Sequence, residues 1–219
     1  MTLSTSLATR LRSATGSLHR EVEGSPLIAN LLRGALDRAG YCLMLRNLQP
    51  IYAALEARLP ALAEDPVIAC IFDPVLARLP ALEADLVTLH GADWPSLPLQ
   101  VAAKIYQGHL LQLDAPGLVA HAYVRYLGDL AGGQMLARIV RRALSLEGDR
   151  GTAFYAFPSP GAAVLGQCFR DGLDRIVLLE AALDRIVDEA CLGFRWHGDL
   201  FRALGADRDL PQRSPLPLA

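Results

Sequence analysis

The feature that most limits what this chain can fold into is the return of apolar residues every three or four positions along most of its length. Leu7, Leu11, Ala14 and Leu18 form one such stripe, and Tyr41, Leu45, Leu48, Tyr52, Leu55 and Leu59 form another. This spacing fits the 3.6-residue turn of an α-helix and not the two-residue alternation of a strand. Residue choice agrees, because Leu and Ala dominate while aromatics make up only 6%. Strand-favouring residues are scattered. With 52% hydrophobic and 20% charged residues in 219, a sizeable core can be buried and a disordered chain is excluded. The predicted fold class is all-α: one irregular multi-helix domain over 1–206, then a short, proline-rich tail over 207–219.

Periodicity and breakers divide the chain further. A first amphipathic helix is predicted over 5–23, and Ser25-Pro26 reads as the cap and first position of a short helix. A long helix over 38–59 contains Pro50, which should kink it or remove a hydrogen bond. One or two helices are expected over 66–90, a loop over 94–98, a helix over 99–113 and a turn over 114–117. The segment 118–144 reads as one helical unit, 147–161 as a loop, and 162–204 as two helices that break near Leu178.

Composition narrows the partners. A net charge of −2 gives no basic field for nucleic acid or anionic lipid, so an anionic ligand must meet a few local cations. Cys42, Cys70, Cys168 and Cys191 form no CxxC pair, and three of them read as small buried hydrophobes. A reducing, cytoplasmic setting fits. No signal peptide is read at the start. The longest uncharged run, 151–169, carries two prolines and three glycines, so no membrane anchor is expected.

Three features carry chemistry. His19 lies near the end of the first helix with Glu23 four residues on, on the same face. An imidazole so placed can bind iron through one nitrogen while a carboxylate orients the other. Gly128, Gly132 and Gly133 fall inside a predicted helix, where each costs about 0.5–1 kcal/mol against alanine. Close approach of a flat ligand would explain them, as would tight helix packing. Asp129 sits within this stripe with Arg125 one turn before it, and Tyr123 lies nearby. Arg12, two turns before His19, and Arg170 are isolated cations suited to carboxylates.

These residues resemble the haem oxygenase family. HAYVRYLGDLAGGQML at 121–136 is similar to the signature of that family's distal helix, and LRSATGSLHREVE at 11–23 resembles its proximal helix. LQPIYAALE at 48–56, FYAFP at 154–158 and Phe169-Arg170 follow in the same order. The resemblance implies haem as both substrate and cofactor, cleaved with O2 and electrons from an external reductase or ferredoxin to biliverdin, CO and ferrous iron. It implies His19 as the iron ligand with Glu23 behind it. Gly128, Gly132 and Gly133 then let the distal backbone approach, and Asp129 organises water with Arg125 and Tyr123 in support. Arg12 and Arg170 meet the propionates, and Phe194 lines the pocket. Ala131 stands where a serine is common, and Gly16 and Gly166 stand where lysines often assist the propionates. The alternative function is a non-catalytic haem carrier or sensor. His90, His109, His121 and His197 read as scattered, with His197 the only other ligand candidate.

Overall fold

Residues 5–206 are described by the structure, a computed structural model. Among them nine α-helices follow in order: α1 Leu7–Glu23, α2 Pro26–Leu32, α3 Arg38–Ala61, α4 Leu79–His90, α5 Val101–Gln112, α6 Ala115–Ala122, α7 Gly128–Leu144, α8 Ala162–Asp174 and α9 Glu180–Ala206. No strand occurs among the described residues. The tail expected at 207–219 lies outside them.

The sequence supplies most of the helix starts. Ser6, Asp37 and Asp114 each accept a hydrogen bond from the backbone N–H three residues on, satisfying donors that a first turn leaves unpaired. Ser25 does not cap α2 in this way; its hydroxyl donates back to the Val22 carbonyl at 2.7 Å. The turn expected at 114–117 is shorter than read, because Asp114 caps α6 and Pro116 falls inside its first turn. Residues 66–77 form turns and a short 3-10 segment, Pro74–Leu76, so 66–90 holds the single helix α4. Pro50 is buried within α3, which continues to Ala61 despite the missing donor.

α9 packs along α1 and α6 and touches α2 and α5, while α3 lies against α4 and α5. The stripes read from the sequence meet there. Leu11, Leu45, Ile51, Leu55, Leu118 and Leu200 are fully enclosed, each contributing about 1.5–3 kcal/mol relative to exposure. Of the cysteines only Cys42 is buried; Cys70 and Cys191 are partly exposed and Cys168 is exposed. Apolar neighbours in sequence did not place Cys70 and Cys191 fully inside, because helix faces and not adjacency decide burial.

Between α6 and α7 the chain winds through a π-helical turn, Tyr123–Leu127. Such bulges kink a helix and concentrate at functional sites. The 118–144 segment is therefore continuous, as read, but carries one wide turn immediately before the glycines. No helix among the described residues is long and apolar enough to cross a membrane.

Candidate active site

A cleft of about 360 Å³ opens between α1, the π turn, α7, α9 and the Ala153–Tyr155 turn. It joins a second compartment of about 550 Å³, and the two share His19, Val124, Gly128, Ala131 and Phe194. The inner part is floored by Met44, Leu48, Phe154 and Phe201, and the outer part carries Arg12 and Arg170.

His19 projects from the last turn of α1. Its Nδ1 faces Glu23 Oε2 at 3.6 Å, which is ion-pair range but longer than a hydrogen bond. Both side chains are about half exposed. Nε2 has no hydrogen-bond partner among the described residues. Phe194 meets the imidazole edge-on with ring centroids 5.8 Å apart, which limits its rotation.

The opposite wall lacks side chains at Gly128 and Gly132. A Cβ built at Gly128 or Gly132 would meet nothing within 4 Å, so these glycines face open space. Tight helix packing, the alternative explanation for them, does not hold at either position. Gly133 is different. A Cβ there would lie 3.2 Å from the Tyr155 ring, and the residue is buried away from the cleft. Expected with the other two at the ligand, Gly133 instead lets the Tyr155 turn pack against α7, because one residue along a helix turns the side chain by about 100°.

Behind the glycine wall Asp129 is buried and doubly held. Tyr52 donates to its Oδ2, and Arg125 Nη2 donates to Oδ1 at 3.1 Å. Arg125 also donates to the Tyr52 hydroxyl through Nε at 2.9 Å and Nη2 at 2.6 Å. Its Nη1 donates to His197 Nε2 at 3.0 Å, and His197 Nδ1 donates to the Gly193 carbonyl at 3.0 Å. Burial and the adjacent guanidinium hold His197 far below its ordinary pKa, so it is the neutral acceptor this geometry requires. With both nitrogens engaged, His197 is not an alternative iron ligand. Burial alone would lower the Arg125 pKa, but the Tyr52 and Asp129 oxygens outweigh it and keep the guanidinium charged. Burial raises the Asp129 pKa, opposed by Arg125 and by the Tyr52 hydrogen bond.

Tyr123 was expected beside Asp129. Its hydroxyl instead lies 3.1 Å from Thr15 Oγ1 on α1, lining the outer compartment. Residues two apart on a helix face nearly opposite sides, so Tyr123 points away from the face that carries Arg125. The tyrosine in the carboxylate network is Tyr52, from α3 and 77 residues away. No spacing rule links Tyr52 to Asp129, though the LQPIYAALE segment that holds it was singled out. Arg12 and Arg170 are exposed. Arg170 Nη2 donates to Gln167 Oε1 at 3.0 Å, and its Nη1 lies 3.5 Å from where a Gly166 Cβ would stand. The glycine in place of a lysine thus leaves room for the guanidinium one turn on.

Fold and site define a helical protein whose cleft carries an imidazole on one wall and two glycines facing open space on the other. The family model described as Heme oxygenase matches residues 5–203. Heme oxygenase 2 of Synechocystis is 36% identical over 91% of this chain and 83% of its own length. Human Heme oxygenase 1 is 35% identical over 90% of this chain and 71% of its own. The crystal structure of Synechocystis heme oxygenase-2 with heme and NO superposes with a TM-score of 0.89 at 34% identity, covering 97% of this chain and 94% of that one. The chain belongs to the haem oxygenase family.

Proposed function

We propose that this chain cleaves haem with O2 and externally supplied electrons to biliverdin, CO and ferrous iron, with His19 as the axial ligand and Asp129 as the proton-handling group. The observation that carries this is the cleft itself: one cavity is walled by His19 on α1 and by Gly128 and Gly132 on α7, with a buried, hydrogen-bonded carboxylate at its edge.

The residues present fit the substrate. A porphyrin is flat and mostly apolar, and the inner cleft is lined mainly by apolar groups. Its two carboxylates suit the guanidinium groups of Arg12 and Arg170 at the mouth. Bound haem supplies the iron and the ring carbon that reacts; the protein contributes orientation and electrostatics.

Each wall has a separate task. Glu23, 3.6 Å from Nδ1, stands where it would accept the Nδ1 proton once Nε2 held the iron. Gly128 and Gly132 leave space for O2 and bring backbone near it. Tyr52 and Arg125 hold Asp129 in one geometry. Each of its oxygens uses one lone pair on them and retains another for water. That water delivers protons on the distal side. The electrons come from a reductase or ferredoxin in the cytoplasm.

The test is a single turnover experiment. Incubated with haem, O2 and an electron donor, the protein should lose its Soret band and gain red-region bilin absorption. A haem carrier on the same fold would keep the Soret band unchanged, and that result would sink the proposal.

A further inference from the structure

A second polar cluster lies where α5, α6 and α9 meet. His109 from α5, His121 from α6 and Glu189 from α9 each bring a ligand atom within 4.8 Å of the others. The haem chemistry above uses none of them. His121 Nε2 lies 2.9 Å from Glu189 Oε1, and His109 Nε2 contacts the same oxygen. His121 is fully enclosed, while the Glu189 side chain is 16% and that of His109 30% exposed. The cluster is therefore closed at His121 and open to solvent at His109 and, less so, at Glu189.

Its surroundings resemble those of a metal centre. The Tyr106 hydroxyl lies 2.7 Å from His121 Nδ1, and such a partner on the second nitrogen is how ligating imidazoles are oriented. A Cβ at Gly193 would stand 2.9 Å from that Nδ1, so the glycine makes the room the ring occupies. Burial lowers the His121 pKa despite the neighbouring carboxylate. Burial would raise the Glu189 pKa, but the two imidazoles outweigh it and lower it. Neutral imidazole and ionised carboxylate are the forms that bind metal.

We infer that His109, His121 and Glu189 bind one divalent first-row transition ion, with water completing the coordination from the exposed side. Two imidazoles and one carboxylate suit Zn2+ and Fe2+. A tetrahedral ion with bonds near 2.1 Å sets its donors about 3.4 Å apart, so the Glu189 oxygen backs away from the imidazoles as the ion enters. Each imidazole then presents an unprotonated Nε2 and keeps its proton on Nδ1, and the His121 Nδ1–H donates a hydrogen bond to the Tyr106 oxygen. The ion then ties three helices together, and α9 also carries Phe194 and His197 of the cleft.

The test uses the full chain, free of haem, titrated with Co2+ as a spectroscopic probe. The chain has two tryptophans, so a Trp94→Phe background leaves only Trp196, whose ring centroid is 4.3 Å from that of His109. One Co2+ per chain should bind, with visible absorption of a four-coordinate ion and quenching of Trp196, both reversed by one equivalent of Zn2+. His109→Ala and Glu189→Gln should each weaken binding at least tenfold, while His19→Ala should leave it unchanged. Anaerobic Fe2+ that displaces Co2+ assigns iron to the site; displacement by Zn2+ alone assigns zinc. Absence of stoichiometric quenching, parental affinity in His109→Ala or Glu189→Gln, or loss of binding in His19→Ala would overturn the assignment. None of these readouts depends on haem cleavage.

Discussion

The two walls of the cleft are built in opposite ways. The α1 wall offers one imidazole, half exposed, with a single carboxylate 3.6 Å away and no hydrogen bond to hold it. The α7 wall buries its carboxylate at the cleft edge and fixes it with Tyr52 and Arg125, themselves anchored through His197 to the α9 backbone. Iron coordination is strong and directional, so the ligand side needs little preparation; the metal orients the ring when it arrives. Proton delivery has no such guide. A water must sit in the right place beforehand, and only fixed protein dipoles can put it there. Under the proposed function, the loose wall answers to binding and the rigid wall to chemistry.

Removing the ligand breaks the comparison most severely. His19→Ala should abolish conversion of haem to biliverdin and change the axial ligation seen in the ferric spectrum. Because the imidazole on α1 is open to solvent, added free imidazole should restore ligation and part of the turnover. Full turnover without imidazole would show that another group holds the iron.

Disrupting the rigid wall should spare binding and impair chemistry. Asp129→Ala is expected to lower biliverdin formation by about a hundredfold, the size of a lost acid–base group, with haem affinity nearly intact. Tyr52→Phe removes one donor to that carboxylate and should cost about tenfold, since an outer partner acts through orientation. Rapid single-turnover absorption measurements separate the two. An equal loss of haem affinity in either variant would place these residues in binding instead.

The glycines permit a sharper test, because stability and activity should move in opposite directions. Gly132 faces empty space, so Gly132→Ala should stabilise the fold by about 0.5–1 kcal/mol through helix propensity. Yet its methyl group enters the cleft, and turnover should fall several-fold. Gly133→Ala presses on Tyr155 at 3.2 Å and should lower the melting temperature. If both variants melt lower, the stripe is a packing device and the distal wall has been misread.

Much of this was legible in the chain. The helical period places α1, α2, α3, α5, α8 and α9 close to where they lie, because an amphipathic stripe is a local signal, while 66–78, expected to be helical, forms turns. His19 with Glu23, and Arg125 with Asp129, were found because each pair spans one helical turn. What escaped was non-local or depended on which way a helix face turns. Tyr52 reaches Asp129 from another helix, and His109, His121 and Glu189, read as unconnected, converge only when α5, α6 and α9 pack. Tyr123 lines the outer compartment instead of supporting Asp129, because two residues along a helix turn a side chain to nearly the opposite face from Arg125. Gly133 was grouped with its neighbour by adjacency, although adjacent helical residues face different ways.

The smallest energetic effect lies at the mouth, and it bears on selectivity. Arg12 and Arg170 are exposed, so each pairing with a propionate is worth about 0.2–1 kcal/mol, less in high salt. Replacing either by alanine should weaken haem binding less than about fivefold, a loss that salt partly masks. Orientation is another matter. Among the described residues near the outer compartment these are the two cations that line it, and propionate anchoring sets the in-plane rotation of the ring. A difference under 1 kcal/mol between two rotations is enough to redistribute them several-fold. Arg12→Ala with Arg170→Ala should therefore change the mixture of biliverdin isomers resolved by chromatography more than it changes total yield. An unaltered isomer pattern in the double variant would mean that the apolar inner cleft alone, shaped by Met44, Phe154 and Phe201, decides how haem lies between the two walls.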